Sequence, residues 1–268
     1  MLKDITLGQY FPGDTALHRL DPRTKTILVI VYIVALFLAV SYVSYAVLLA
    51  ALAAAIAVSK VRLKVLLKSL KPILILMVLT AVLNLFYTRG TDVLVSFWII
   101  TITREGIENA VFMLLRIAML ILGTFLLTYT TSPISLTDGL ERLLRPLKKI
   151  RVPVHELSMM MCIALRFIPT LLEETDKIIS AQKARGADFE TGNLIRRAKA
   201  LIPILVPLFI SSFRRADELA TAMECRCYHG GEGRTKMKEL RYARADAIAF
   251  ALGGALLAVT IVLRTMGL

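Results

Sequence analysis

Long apolar runs alternate with charged stretches along this chain, and the alternation marks out its elements. A first apolar run extends from about Thr26 to Val40 and a second from about Val43 to Val58. Only Ser41 and Tyr42 separate them, which suits a tight hairpin of two membrane spans. A third span covers roughly Pro72–Tyr87, a fourth about Ala110–Tyr129 and a fifth about Ala247–Leu263. Between the third and fourth lies a connector, 88–109, opening with Thr88-Arg-Gly-Thr-Asp92. It contains an apolar piece, Val93–Ile102, too short to cross a bilayer and expected as a re-entrant or interfacial helix.

Residues 131–246 follow another rule. Pro133, Pro146 and Pro153 interrupt the early part, and a short helix, Leu136–Leu144, fits between the first two. Two long helices are then expected. The first, about Val154–Arg185, has Leu157, Met161, Ala164, Ile168, Leu171 and Ile178 at helical steps, with Glu156, Arg166, Glu173, Asp176 and Lys177 largely off that seam. The second, about Asn193–Arg226, has Val206, Phe209, Phe213, Ala216, Ala220 and Met223 on one stripe. Pro169, Pro203 and Pro207 should kink these helices without ending them. Both are too charged to span and too apolar to stand alone in water, and each seam suits the other. The expectation is an all-α polytopic membrane protein with about five transmembrane helices and a cytosolic domain of long helices. It divides into a membrane part over 1–130, the cytosolic part over 131–246, and a last transmembrane helix over 247–268.

Composition agrees with a membrane protein: 57% of the 268 residues are hydrophobic, and the mean hydropathy is +0.69. Disorder, collagen and a secreted disulfide scaffold are excluded. The 33 Lys and Arg outnumber 20 Asp and Glu, and their placement fixes an expected orientation. Four fall in 1–25, five in 59–71 and twenty in 131–246, whereas Arg89, Arg104 and Arg264 lie on the other side of the spans. By the positive-inside rule the N-terminus is cytoplasmic, in a multi-pass protein of the cell membrane. The first 25 residues are polar and lack a cleavable-signal pattern, so the chain should be inserted by its own spans. The basic run at 60–71 sets topology beside its spans and does not suggest a nucleic-acid partner. Arg116 is the one charge inside a span, which is costly and implies a role. Three readings stand open: pairing with Glu105 or Glu108, snorkelling, or contact with a partner subunit in the membrane.

Little of this resembles catalytic machinery. There is no Gly-x-x-x-x-Gly-Lys-Ser/Thr loop for ATP, and His18, His155 and His229 are scattered. Cys225-x-Cys227-x-His229 lacks a nearby fourth ligand for a structural metal, so no metal is assigned. Two sites do combine pattern and chemistry. The first long helix finishes in Ala184-Arg185-Gly186, and the second in Met223-Glu-Cys-Arg-Cys227 ahead of Gly230, Gly231 and Gly233. Each places an arginine among small residues just before a helix stop. A guanidinium there offers a planar fork to a carboxylate or to backbone carbonyls, and small neighbours allow close approach.

With Gly8-Gln-Tyr-Phe-Pro-Gly-Asp-Thr-Ala-Leu-His-Arg-Leu-Asp-Pro-Arg-Thr-Lys25, these motifs resemble the transmembrane T subunits of energy-coupling factor (ECF) transporters, vitamin and metal importers of the ABC class. The resemblance covers essentially the whole chain. It implies a non-catalytic coupling subunit whose two arginine-tipped helices dock on two ATP-binding subunits, a homo- or heterodimer, while its membrane part holds a separate substrate-binding S subunit. The implied docking residues are Ala184, Arg185, Gly186, Glu224, Cys225 and Arg226, with Arg116 a candidate intramembrane or S-subunit contact. ATP and Mg would reside on the partner subunits, leaving no cofactor on this chain. The second motif usually reads Ala-Arg-Gly, whereas here it reads Cys225-Arg226-Cys227, leaving the turn after Arg226 open. A self-sufficient permease and a membrane-embedded lipid enzyme are the alternatives, and each would show binding or turnover by the isolated chain.

Overall fold

A computed structural model describes residues 10–87, 93–97, 100–187, 189, 193–230 and 239–267. Its helices are α1 (Ala16–Arg19), α2 (Pro22–Leu38), α3 (Tyr42–Ser59), α4 (Leu63–Lys68), α5 (Leu74–Tyr87), α6 (Arg104–Thr130), α7 (Pro133–Leu144), α8 (Val154–Ala184), α9 (Leu194–Glu224) and α10 (Arg244–Thr265). The protein is all-α and polytopic, apart from one short ribbon. Strands β1 (Val93–Phe97) and β2 (Ile100–Thr103) pair antiparallel, with Phe97 opposite Ile100 and Val93 opposite Thr103. The expected re-entrant or interfacial helix over 93–102 is therefore corrected to a hairpin. Val93, Val95, Ile100 and Ile102 are β-branched and fit a pleated strand better than a helix turn.

Among the described residues, five helical stretches are long and apolar enough to cross a membrane: Tyr42–Ser59, Leu63–Phe86, Arg104–Thr130, Val154–Ala184 and Arg244–Thr265. Four coincide with expected spans. The expected first span is α2, which has 17 residues and rises about 25 Å, short of a ~30 Å hydrocarbon core. In its place α8 qualifies, though its best window reaches a hydropathy of 1.3 against at least 2.0 for the others. Its apolar residues are concentrated before Leu172, and Glu173, Glu174, Asp176 and Lys177 follow. Pro133 begins α7 rather than breaking it, because a first-turn proline has no lost hydrogen bond to replace.

The described residues form two compact units, one within 10–139 and 240–267 and the other within 140–239. In the membrane unit, Ala35, Leu36, Ala39, Tyr45, Leu48, Leu52 and Met119 form a buried core among α2, α3 and α6. Leu256 and Leu257 of α10 pack against it. Gly123 lies so close to the Tyr32 ring that a Cβ there would fall 2.9 Å from it, the small-residue contact that lets apolar helices approach.

Polar groups fix both ends of this bundle. At one end Lys25 is buried, and its Nζ donates to the carbonyls of His18 (3.1 Å) and Thr130 (2.9 Å) and to Thr131 Oγ1 (3.3 Å). The start of α2 is thereby held to the end of α6. Asp246, 1% exposed, accepts from Asp21 N and Ala243 N, joining the starts of α2 and α10. At the other end, Arg116 Nε donates to Tyr45 Oη (2.9 Å) and Nη2 to Ala39 O (3.2 Å). Ala39 caps α2 and is fully buried, so its carbonyl has no water to turn to. Glu108 is taken by Arg104 instead, at 3.4 Å, so the Glu105 or Glu108 partnership considered for Arg116 is replaced by a helix-end carbonyl and a phenol.

The second unit contains α8 and α9, each of 31 residues, with Pro169, Pro203 and Pro207 inside them. Its packing corrects the expected seam. Val206, Phe209, Phe213, Ala216 and Ala220 of α9 are all exposed, while Ile204, Leu208, Ser211, Arg215 and Leu219 are buried or half-buried. On α8, Ile168, Leu171 and Ile178 are half-buried as expected, but Leu157, Met161 and Ala164 are exposed.

Arg116→Leu should lower the thermal unfolding midpoint in detergent, since it strands the Ala39 carbonyl at a cost of about 1–3 kcal/mol. An unchanged midpoint would show that Arg116 serves a partner rather than the fold.

Candidate functional site

Opposite charges join the two long helices. Glu174 Oε1 accepts from the Ser211 hydroxyl, and Glu174 Oε2 accepts from Arg215 Nη2 at 2.8 Å. The ion pair is partly screened from water, with the side chains 31% and 25% exposed. Arg185 lies eleven residues beyond Glu174, and Arg226 lies eleven residues beyond Arg215. At 1.5 Å per residue each arginine stands about 17 Å along its helix from this pin. Two rods of equal length are thus joined at matching places.

The rod ends are built alike. At the end of α8, Gly186 N donates to Lys183 O (3.0 Å) and Ala187 N to Gln182 O (3.0 Å), with Gly186 at φ 85°. At the end of α9, Cys227 N donates to Glu224 O (2.8 Å) and Tyr228 N to Met223 O (3.0 Å), with Cys227 at φ 54°. Both are Schellman turns, in which a left-handed residue lets its own amide and the next one close back on the last carbonyls. Arg185 and Arg226 occupy the equivalent capping position in each. The turn that the sequence left open after Arg226 is the same turn as after Arg185, made with cysteine where glycine is usual. A left-handed non-glycine residue costs roughly 1–2 kcal/mol.

Backbone amides close the turns, so neither arginine is needed for capping. Among the described residues, Arg185 and Arg226 are exposed and make no side-chain hydrogen bond or ion pair. Ala184, Gly186, Glu224 and Cys225 are exposed beside them. A Cβ at Gly186 would meet nothing within 4 Å, so its conformation rather than crowding inside the chain calls for glycine. Each end is therefore a rigid turn with a free, dipole-favoured guanidinium and a small neighbour. The structure places the six residues in two separate tips. The motif stretch 231–236 lies outside the described residues, as does Gly8. Arg116 belongs to the membrane unit. Among the described residues, no three His, Cys, Asp or Glu side chains are grouped to hold a metal. The sequence reading missed the Glu174–Ser211–Arg215 pin. Its signal was the equal spacing of Glu174 and Arg215 from the two tip arginines.

Residues 13–237 match the model of the CbiQ family, cobalt transport proteins. The chain belongs to the CbiQ family. It is 57% identical over 265 residues to the energy-coupling factor transporter transmembrane protein EcfT of Clostridium kluyveri, covering 98% of each chain. It is 58% identical over 248 residues to the protein of the same name from Acidaminococcus fermentans, covering 92% of each. With that of Lactococcus lactis subsp. cremoris it shares 44% identity over 247 residues, 92% of this chain and 93% of the other. The CbiQ match begins within the N-terminal motif and includes both rod ends and the pin.

Replacing Cys227 by glycine should relieve the left-handed strain, slowing amide hydrogen exchange at Tyr228 about fivefold for ~1 kcal/mol. Gly186→Ala should speed exchange at Ala187 by a similar factor. Faster exchange at Tyr228 in the first variant, or slower exchange at Ala187 in the second, would mean that the two turns are not equivalent.

Proposed function

We propose that this CbiQ-family chain is the transmembrane energy-coupling subunit of an ECF-type importer for a micronutrient, a vitamin or a metal. The paired rod ends carry this reading: two identical turns on two pinned helices, each presenting an unengaged arginine. A pair of like tips suits a pair of like sockets. The sockets belong to two ATP-binding subunits, where ATP and Mg are held and hydrolysed, and this chain itself catalyses nothing. Each guanidinium enters a groove and meets carboxylate or carbonyl oxygens, and Gly186 or the thiol-sized Cys225 and Cys227 let the groove wall come close. As ATP draws the two subunits together, the tips move with them. Because Glu174 joins Ser211 and Arg215 across the rods, the two helices respond as a pair rather than independently.

The remaining surfaces fit the same reading. The outward stripe Ile202, Leu205, Val206, Phe209, Ile210 and Phe213 is exposed on a helix that also carries many charges. Such a stripe needs an apolar cover, and it is assigned to the separate substrate-binding S subunit at the membrane. The N-terminus and the basic segment after α3 are cytoplasmic, on the side of the ATPase pair. Movement of the spans then changes the bilayer setting of the S subunit and allows its cargo to leave inward.

In the double variant Arg185→Glu with Arg226→Glu, both forks become like charges to their sockets. Co-purification with the ATP-binding subunits should be lost while membrane insertion stays intact. Single variants should retain part of the association, because two tips share the attachment. An undiminished complex from the double variant would refute the docking assignment.

A further inference from the structure

The second unit is an excursion of the chain. It leaves the membrane unit after Gly139 and returns at Leu240, so two strands of backbone carry it. Both strands rest on the first turn of α2 in the membrane unit, the outgoing one on Pro22 and the Arg23 backbone and the returning one on the Arg23 side chain. On the outgoing strand, a Cβ at Gly139 would fall 3.0 Å from Pro22 Cβ and 3.4 Å from Arg23 N, so α7 lies directly on the first turn of α2. On the returning strand, Arg23 Nη2 donates to Leu240 O (3.2 Å), and its guanidinium carbon sits 4.0 Å from the centre of the Tyr242 ring. Asp21 holds that guanidinium in place. Its Oδ1 accepts from Arg23 Nε (3.0 Å) and its Oδ2 from Arg23 Nη2 (2.8 Å), while Oδ1 also accepts Arg23 N (2.9 Å). Asp21 N in turn donates to Asp246 Oδ1, and Asp246 caps α10 through Ala243 N.

A span anchor alone would need none of this. An arginine at a membrane boundary can turn its head to water, yet the Arg23 side chain is only 11% exposed and the Asp21 side chain 2%. Capping α2 needs only Asp21 and Pro22. The bidentate pair, the carbonyl contact and the ring stack instead fix the returning strand at the point where α10 begins.

We infer that Asp21, Pro22 and Arg23 form a clamp on both ends of the excursion, with Arg23 the positioning residue through which motion of the rods reaches α2 and α10 together. This rests on the coupling function proposed above and adds the point of transmission. An intact clamp makes any pull on either strand move the foot of α2. A broken clamp lets the returning strand take up the displacement by local rearrangement, so that ATP is hydrolysed without transport.

The test uses the assembled transporter, with its ATP-binding subunits and S subunit, in liposomes, and reads uptake per ATP hydrolysed. Arg23→Ala should assemble and hydrolyse ATP near the wild-type rate while the ratio falls about tenfold or more, as expected for losing a charge-assisted contact. Tyr242→Leu should lower the ratio in the same direction, and Tyr242→Phe, which keeps the ring face, should leave it at wild type. Gly139→Val should also lower it by wedging α7 from Pro22. A wild-type ratio in Arg23→Ala and Tyr242→Leu, or uptake falling only in proportion to hydrolysis, would overturn the clamp. If Arg23→Ala does not assemble, Tyr242→Leu and Gly139→Val decide alone, and an unchanged ratio in both overturns it. A wild-type chain that joins no ATP-binding pair would refute the underlying function, and the clamp with it.

Discussion

A helix leaves backbone carbonyls unpaired at one end and amides at the other, and an apolar surrounding gives them no water. Most of the charged side chains that matter in this protein answer that constraint. Arg116 reaches the last carbonyl region of α2 at Ala39, and Lys25 reaches Thr130 at the end of α6. Asp246 takes the amides of Asp21 and Ala243, where α2 and α10 start. Charges that would be costly in the bilayer are placed where backbone groups need them. In doing so they fix which helix ends lie together, and hence the directions of α2, α3, α6 and α10.

The rod ends solve the same problem differently, and the difference is what makes them available for function. At Gly186 and Cys227 the chain turns left-handed and its own amides cover the last carbonyls. No side chain is consumed. The arginines just inside those turns keep all their donors, whereas Arg23 and Arg116 commit several of theirs to groups inside the fold. The separation of structural from available arginines thus follows from which capping device each helix end employs. It also explains how a cysteine can replace glycine at one tip: the strain is of order 1–2 kcal/mol, and the turn, with its exposed arginine, is preserved.

Much of this was legible in the sequence because it is local. Apolar runs gave α3, α5, α6 and α10, helical spacing gave α8 and α9 across their prolines, and the Ala184-Arg185-Gly186 pattern gave a helix end. The pairings were not legible. Tyr45 and Ala39 are 71 and 77 residues from Arg116, and nothing in hydrophobic periodicity carries information over that distance. The β-hairpin was signalled by its β-branched residues, but a short apolar piece between spans invited a helical reading. The α9 stripe was misread for a reason particular to this class of protein. Apolar stripes point inward in water-soluble bundles, so the sequence alone turns Phe209 and Phe213 toward α8. Here the inward face carries Ser211 and Arg215 against Glu174, and the apolar stripe is turned outward.

If both rod ends grip a nucleotide-hydrolysing partner, short-range cysteine cross-linking from each tip in native membranes tests it most directly, using Cys225 at one end and Ala184→Cys at the other, with the remaining cysteines changed to serine. Cross-links from both positions should land on ATP-binding subunits, and their yield should change with nucleotide. Cross-links that reach only lipid or integral membrane chains from both tips would contradict it.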